Sequence, residues 1–242
     1  MEDLASIQIS CNYPGGNVKV NRLSPGRADI ESDLRDTPAH WFYWNFEAEA
    51  LAPGRIEFHF PVGKQWLSAQ GPCVSADDGK SWRWAGKKKC FFCNPDPEKL
   101  NDGFVWEFKH AGERVRFAQG FPYQVSNYEN FIQKNKGNCE LHAGVLTKSR
   151  KGRECPMLTV GSGDKNMLLL CRHHACEAAA AHVLEGFVAE AIAENETAAA
   201  FRKEYTLSVV PFVDLDGVED GDQGKGRAPH DHNRDYGLKQ HL

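Results

Sequence analysis

An imidazole and a carboxylate stand three residues apart, directly after a short apolar run at residues 167–171. They are His174 and Glu177, within the segment Arg-His-His-Ala-Cys-Glu at residues 172–177. A neutral imidazole and a carboxylate are two of the three protein ligands that a catalytic zinc takes, and water fills the open position. Because ligand sites of open α/β sheets lie beyond the carboxyl ends of strands, we expect a metal site here. Alternatively, Glu177 is only an acidic residue favoured by the helix dipole in a first turn.

A second group of polar residues follows another predicted strand. Residues 213–218 read Val-Asp-Leu-Asp-Gly-Val, and Arg227, Asn233 and Arg234 come after them. The guanidinium of Arg234 can hold a planar carboxylate through two parallel hydrogen bonds, and Asn233 can add a donor. A cation at Arg227 or Lys225 can polarise a carbonyl or stabilise an oxyanion. The sequence therefore predicts that both groups lie on one edge of a sheet.

The same stretch has an alternative interpretation as an Asp- and Gly-rich surface loop. Such a loop could bind Ca²⁺ through Asp216, Asp220 and Asp222. The stretch lacks the ligand pattern of an EF-hand, which disfavours calcium without excluding it.

The elements that must position these residues are those of an α/β unit. The apolar run 167–171 fits a strand buried on both faces. Residues 175–194 are rich in Ala, Glu and Leu, with apolar residues at helical spacing, and residues 206–213 read as a second strand. Strand, long helix and strand form the βαβ pattern, which predicts a mostly parallel sheet.

The first half of the sequence has a different composition. Most Phe, Trp and Tyr residues lie at or before position 131, and no clear helix precedes position 124. Aromatic and β-branched residues alternate in several short segments separated by turn residues. These segments are residues 41–48, 55–60, 81–84, 104–109 and 114–117. We therefore predict an α+β protein of two domains, an antiparallel β-sandwich at 1–120 and an α/β domain at 121–242.

Composition and charge exclude several classes of function. The 242 residues include 29 Lys plus Arg and 33 Asp plus Glu, for a formal net charge of −4. A general nucleic-acid or membrane-surface binder needs a basic excess, so we expect neither partner. No apolar run approaches the roughly 20 residues of a membrane span, and the first residues do not read as a secretory signal. A cytoplasmic location is therefore expected.

The eight cysteines include one close pair, Cys90 and Cys93. A structural zinc site needs a second pair at matching spacing, and a redox pair opens a helix. Here three lysines precede the pair and Asn-Pro-Asp-Pro follows it, which reads as a strand entering a turn. We expect reduced, structural thiols.

Taken together, the motifs resemble the zinc carboxypeptidase family, and most closely its cytosolic-carboxypeptidase branch. Residues 172–177 resemble the Arg-x-His-x-x-Glu segment that supplies two zinc ligands. Residues 214–218 resemble the Asn-Pro-Asp-Gly-Val turn, and residues 231–234 resemble Asp-Leu-Asn-Arg. The front half adds Trp-Phe-Tyr-Trp at 41–44 and Phe-Pro-Tyr at 121–123, which are similar to the aromatic front domain of that branch and its junction.

The resemblance implies a hydrolase that removes the last residue of a peptide or protein through a zinc-bound water. It implies that His174 and Glu177 bind Zn²⁺ and that Asn233 and Arg234 hold the substrate carboxylate. The family arginine that polarises the scissile carbonyl would fall at Gly224 by strict spacing. Arg227 is the expected substitute and Lys225 the alternative.

Two further family residues do not appear in this sequence. The third zinc ligand is a later His and the general base a later Glu, and His241 is too close to the Asn-Arg segment to be that ligand. We therefore expect residues 121–242 to be the N-terminal portion of a peptidase domain. The chain is then either part of a longer protein or a catalytically incomplete relative.

Two other functions remain open at this point. A zinc deacylase or amidohydrolase of the same scaffold, acting on N-acyl amino acids, would use similar His-x-x-Glu and Asn-Arg elements. A catalytically incomplete protein could bind peptides or carbohydrates through its aromatic front domain. The residues indicate neither substrate side-chain preference nor oligomeric state.

Overall fold

The chain forms two compact units. The first comprises Met1–Pro122 and Asp220–Gln223, and the second comprises Tyr123–Glu219 and Gly224–Leu242. The computed structural model describes residues 3–39, 41–61, 67–68, 70–91 and 102–237. Cys93 and His241 lie outside these ranges. A division at residue 120 does not include the return of residues 220–223, where Gly221 and Gln223 form hydrogen bonds within the first unit.

Two five-stranded sheets make up the first unit, with orders β1-β4-β10-β6-β7 and β2-β3-β5-β9-β8. Their strands are β1 (Ser6–Ser10), β2 (Lys19–Ser24), β3 (Arg27–Glu31), β4 (Asn45–Ala52), β5 (Gly54–Phe60), β6 (Cys73–Ser75), β7 (Arg83–Trp84), β8 (Cys90–Phe91), β9 (Asp102–Phe108) and β10 (Arg114–Ala118). All pairings are antiparallel except β3 with β5. That pair is parallel because the intervening strand β4 belongs to the other sheet, so the chain re-enters in the same direction.

Aromatic side chains from both sheets meet in one core. Phe46 and Phe117 come from one sheet and Phe58 and Phe104 from the other, and all four are fully buried. The ring centroids of Phe58 and Phe104 lie 4.7 Å apart, and those of Phe46 and Phe58 lie 5.4 Å apart. Alternation along β5 explains this arrangement, because every second residue points to the same face.

The returning segment is bound to the first unit by buried polar groups. The side-chain Nε2 of Gln223 donates to the Tyr43 carbonyl at 2.8 Å, and the Tyr43 N–H donates to Gln223 Oε1 at 3.0 Å. The Gln223 N–H donates to Asp36 Oδ1 at 3.0 Å, and Asn17 Nδ2 donates to the Gly221 carbonyl at 2.7 Å. Gln223 is fully buried, so these bonds satisfy groups that water cannot reach.

Gln223→Leu should therefore destabilise the first unit by about 2–4 kcal/mol, because it removes the two buried hydrogen bonds between the Gln223 side chain and the Tyr43 backbone. Urea unfolding followed by tryptophan fluorescence measures the change. Gln8→Leu is the matched control, since Gln8 lies on the exposed side of β1. Equal stability of the two variants would contradict the anchoring role of Gln223.

The second unit contains a four-stranded sheet of order β11-β12-β14-β13. Its elements are α1 (Val125–Lys134), β11 (Leu141–Lys148), β12 (Glu154–Val160), β13 (Lys165–Leu170), α2 (Ala178–Ala191), α3 (Glu196–Glu204), β14 (Tyr205–Val210) and α4 (Leu215–Asp220). Strands β13 and β14 run parallel, whereas β11 with β12 and β12 with β14 run antiparallel. The prediction of a mostly parallel sheet is therefore wrong for the described strands, because it did not include the β11–β12 hairpin.

Strand β13 is not buried on both faces as expected. Met167 and Leu169 pack on the core cluster of the second unit, but Leu168 is 60% exposed and Leu170 is 37% exposed. Within the described residues β13 stands at the edge of its sheet, with β14 as its single neighbour. A continuous apolar run does not by itself distinguish a strand buried on both faces from one buried on a single face. Among the described helices, none is long and apolar enough to cross a membrane.

Candidate active site

Backbone hydrogen bonds extend the pairing of β13 and β14 beyond the ends of both strands. The Cys171 N–H donates to the Val210 carbonyl at 3.0 Å, and the Val213 N–H donates to the Cys171 carbonyl at 2.9 Å. The Asp214 N–H then donates to the Arg172 carbonyl at 2.9 Å. The two polar groups singled out in the sequence therefore start side by side at one edge of the sheet.

Arg172 shapes the loop that carries the candidate metal ligands. Its side chain is buried, and its backbone has φ 57°, a left-handed conformation uncommon for a residue with a side chain. The guanidinium Nη1 donates to the Tyr123 carbonyl at 2.7 Å, and Nη2 donates to the Ala175 carbonyl. These bonds fold the chain back after β13 and hold the backbone on both sides of His174.

The imidazole of His174 lies between two carboxylates. Nδ1 lies 3.2 Å from Glu177 Oε1, and Nε2 lies 3.0 Å from Asp231 Oδ1. His174 is buried, and a neutral imidazole can donate through only one of its nitrogens. Metal-binding histidines characteristically donate their second ring nitrogen to a carboxylate, which fixes the tautomer. The geometry leaves Nδ1 and the Glu177 carboxylate as the pair that faces a metal position.

Asp231 is the residue of this site that the sequence analysis missed as a functional residue. Its Oδ2 accepts from the Gly226 N–H at 2.9 Å, and its Oδ1 accepts from the Asn233 N–H at 2.9 Å. Burial would raise its pKa, but these bonds and His174 outweigh burial and hold the pKa below its ordinary value. The sequence signal that could have identified Asp231 is its position two residues before the Asn233-Arg234 pair.

Lys225 contacts the carboxylate of Glu177. The Lys225 Nζ lies 2.8 Å from Glu177 Oε1, and the two side chains are 20% and 38% exposed. Burial would raise the pKa of Glu177, but hydrogen bonds and charges from Lys225 and His174 lower it below the ordinary value. The ammonium of Lys225 thus occupies the carboxylate of Glu177 that is expected to bind the metal. The imidazole of His174 and the carboxylate of Glu177 are donors of the types that zinc takes.

Arg227 has a different partner. Its Nη1 donates to Asp214 Oδ1 at 3.0 Å and lies 3.0 Å from Oδ2 as an ion pair. The Asp214 side chain is 2% exposed, and the Gly217 N–H also donates to its Oδ1 at 3.1 Å. Arg227 is therefore the counter-charge of a buried carboxylate.

Gly224 stands where strict spacing would place a cationic side chain. Its φ is +76°, and a Cβ added there would lie 2.5 Å from the Ala175 nitrogen and 2.9 Å from Asp214 Oδ2. The backbone of the metal-ligand loop occupies that space. No side chain fits at residue 224, so a cation that serves this site must come from another residue.

Comparison with known proteins finds zinc carboxypeptidases. Residues 128–240 match the zinc carboxypeptidase family. Over this stretch the chain resembles zinc carboxypeptidases. It is 22% identical to cytosolic carboxypeptidase 1 of Homo sapiens over 277 residues, which cover 95% of this chain and 22% of that protein. It is 24% identical to cytosolic carboxypeptidase 6 of Caenorhabditis elegans over 250 residues, covering 95% of this chain and 54% of that protein.

Solved carboxypeptidase structures share the fold. A metallo-carboxypeptidase from Burkholderia cenocepacia superposes with a TM-score of 0.75 at 17% identity, covering 90% of this chain and 59% of that one. A metallo-carboxypeptidase from Pseudomonas aeruginosa gives a TM-score of 0.73 at 21% identity, covering 89% of this chain and 58% of that one. The chain thus spans between about a fifth and three fifths of the length of these relatives. The resemblance to the zinc carboxypeptidase family is confirmed.

Asn233 and Arg234 lie in an exposed turn that starts at Asp231. The Arg234 N–H donates to the Asp231 carbonyl at 2.8 Å, so Asp231 organises the backbone of both residues. Both residues are exposed, and within the described part of the chain neither side chain makes a hydrogen bond. Through Asp231, the turn links the side chains of Asn233 and Arg234, which can bind a carboxylate, to the imidazole of His174.

Asp216 does not belong to a calcium site. Its Oδ1 accepts from Ser149 Oγ at 2.8 Å and from Arg153 Nη1 at 2.7 Å, and its Oδ2 accepts from the Lys151 N–H at 3.1 Å. These bonds attach the turn of the β11–β12 hairpin to α4. Residues 3–39, 41–61, 67–68, 70–91 and 102–237 contain no group of three His, Cys, Asp or Glu able to hold a metal. The geometry opposes the calcium interpretation.

Thiol chemistry is disfavoured near the site. Burial raises the pKa of Cys176 to about 12, even though the charge of Lys225 acts in the opposite direction. Burial also raises the pKa of Cys171. None of the seven cysteines that the structure describes forms a disulfide. The thiols beside the site are therefore protonated at neutral pH and poor nucleophiles.

Asp216→Asn should destabilise the second unit at pH 7 by about 1–3 kcal/mol, because it weakens the bonds that fix the hairpin turn. Hydrogen bonds and the charge of Arg153 outweigh burial and lower the pKa of Asp216 from 3.8. The stabilisation is therefore present above pH 3.8 and disappears as the pH falls through the lowered pKa. Urea unfolding at several pH values measures it, with the exposed Asp164→Asn as control. A pH-independent difference would contradict this account.

Asp231→Asn should weaken zinc binding roughly 10- to 100-fold, because it removes the charge that fixes the tautomer of His174. Calorimetric titration with Zn²⁺ measures the dissociation constant. Asp235→Asn is the control, since Asp235 pairs with His230 on the same segment. Unchanged affinity in Asp231→Asn would remove Asp231 from the site.

Proposed function

We propose that the chain belongs to a zinc-dependent metallocarboxypeptidase that hydrolyses the C-terminal residue of a peptide or protein. The single observation that supports this most directly is the imidazole of His174, with Nδ1 toward Glu177 and Nε2 on Asp231. A carboxylate–histidine pair aimed at a second carboxylate is the arrangement of a metal ligand with its supporting shell.

His174 and Glu177 would hold the zinc, which when bound lowers the pKa of a water molecule toward neutrality. Asp231 keeps the imidazole in the tautomer whose Nδ1 is an acceptor. The third His ligand and the general-base Glu that the family resemblance implies are not among residues 3–39, 41–61, 67–68, 70–91 and 102–237.

Asn233 and Arg234 would bind the terminal carboxylate of the substrate. A guanidinium and an amide together supply the parallel donors that a planar carboxylate accepts. Their exposure leaves the donors accessible to a ligand. Because a free α-carboxylate occurs only at the C-terminal end of a polypeptide, this contact would restrict cleavage to the last residue.

The sequence assigns the carbonyl-polarising cation to Arg227, with Lys225 as the alternative. Either residue would stabilise the negative charge that develops on the carbonyl oxygen. A cytoplasmic location accompanies this proposal, in keeping with the names of the cytosolic carboxypeptidase relatives. The proposed partner is the C-terminus of a peptide or protein.

The test is hydrolysis of peptides, with and without zinc, by the intact enzyme that also supplies the third His ligand and the general base. Zinc-loaded protein should release the C-terminal residue, and Glu177→Gln should lose at least about 100-fold in kcat/KM because a metal ligand is weakened. Glu194→Gln, at an exposed position after α2, is the matched control.

Release of acyl groups from N-acyl amino acids without peptide cleavage would favour the deacylase alternative. Full peptidase activity in a metal-free preparation would contradict the zinc mechanism altogether.

A further inference from the structure

Lys225 and a metal ion would share the carboxylate of Glu177. The Lys225 Nζ lies 2.8 Å from Glu177 Oε1, and that oxygen lies 3.2 Å from His174 Nδ1. An ion bound by Nδ1 and the Glu177 carboxylate carries the charge that Lys225 supplies in the metal-free protein. Two cations that share one carboxylate repel each other, so occupancy by one weakens the contact of the other.

Lys225 and Arg227 differ in the free energy that would be lost if each left its carboxylate. Arg227 neutralises Asp214, whose side chain is 2% exposed, and removing a cation from a buried carboxylate is strongly unfavourable. Glu177 is 38% exposed, and a bound metal would itself neutralise it. Lys225 can therefore leave its carboxylate when a metal binds, whereas Arg227 stays with Asp214.

The side chain of Lys225 permits such a movement without a change in the backbone. The neighbouring backbone is held, because Gly224 packs against the Ala175 nitrogen and the Gly226 N–H donates to Asp231 Oδ2 at 2.9 Å. The ammonium is carried on a flexible four-carbon stem with rotatable donors, unlike the planar guanidinium of Arg227. The Lys225 side chain is 20% exposed, at the edge of the site.

We propose that Lys225 is the displaceable cation of this site. Its ammonium neutralises Glu177 in the metal-free protein and leaves that carboxylate when a divalent metal binds. It then donates to the carbonyl oxygen of the substrate, a final role that rests on the proposed peptidase function. Arg227, which the sequence assigned to that role, instead acts as a positioning residue that neutralises Asp214.

The first test is metal binding, which needs no catalysis. Calorimetric titration with Zn²⁺ alone should show that Lys225→Met binds zinc about tenfold more tightly than the unmodified chain, because a competing charge-assisted contact is gone. Lys165→Met is the matched control, since Lys165 forms an ion pair with Glu204 at the surface of the same unit. It should leave zinc affinity unchanged.

Thermal unfolding gives a second, independent reading. Without metal, Lys225→Met should unfold at a lower temperature than the unmodified chain because Glu177 loses its counter-charge. With saturating zinc, the difference should disappear or reverse. A zinc affinity of Lys225→Met equal to or weaker than that of the unmodified chain would overturn the proposal.

The catalytic part is tested with peptide substrates at saturating zinc, in the intact enzyme that supplies the third His ligand and the general base. Lys225→Met should lower kcat with little change in KM, and Lys225→Arg should recover much of the loss. Arg227→Met should lower the unfolding temperature by more than Lys225→Met does at saturating zinc. Unchanged kcat in Lys225→Met would overturn the catalytic role.

Failure of this inference is distinguishable from failure of the proposed function. If Glu177→Gln binds zinc as well as the unmodified chain, the metal site itself is wrong. If Glu177→Gln loses zinc while Lys225→Met is unchanged, the metal site stands and only the role of Lys225 is overturned.

Discussion

The buried imidazole of His174 is the contact on which the arrangement of the site depends. Its two nitrogens face carboxylates from two different segments, Glu177 at the start of α2 and Asp231 after the strand β14. A buried ring of this kind requires a partner for each nitrogen, so it fixes the separation of those segments. The left-handed turn at Arg172 and the backbone bonds that extend the β13–β14 pairing set the position from which the ring reaches both.

Three carboxylates stand in this small region, and each is stabilised differently. Asp214 is buried and paired with Arg227, Glu177 is partly exposed and paired with Lys225, and Asp231 is held by backbone N–H groups and His174. Backbone donors cannot leave, and a buried ion pair separates only at high cost. Only the Glu177 pair therefore combines a movable donor with a carboxylate that water or a metal can reach.

The spacing of His174 and Glu177 and the alternation along β5 were sufficient to predict their local structure, because both depend on neighbours in sequence. The exposed face of β13 was not predictable in the same way, and neither was the antiparallel pairing of β12 with β14. An apolar run indicates that a strand is packed against a core. Which strands pair with it depends on segments that are distant in sequence. Asp231 was missed for a related reason: its function arises from a contact with a residue 57 positions earlier.

Gly224 shows how one backbone contact can redistribute the chemistry of a site. The backbone of the metal-ligand loop approaches residue 224 so closely that a Cβ would meet the Ala175 nitrogen at 2.5 Å. A cationic side chain at that spacing would displace the loop that carries His174, so the close approach and a cation at residue 224 exclude each other. The positive charge instead comes from Lys225 and Arg227 on the same short segment. Lys225 can pair with the carboxylate of Glu177 while Arg227 stays with Asp214, and a single arginine could not do both.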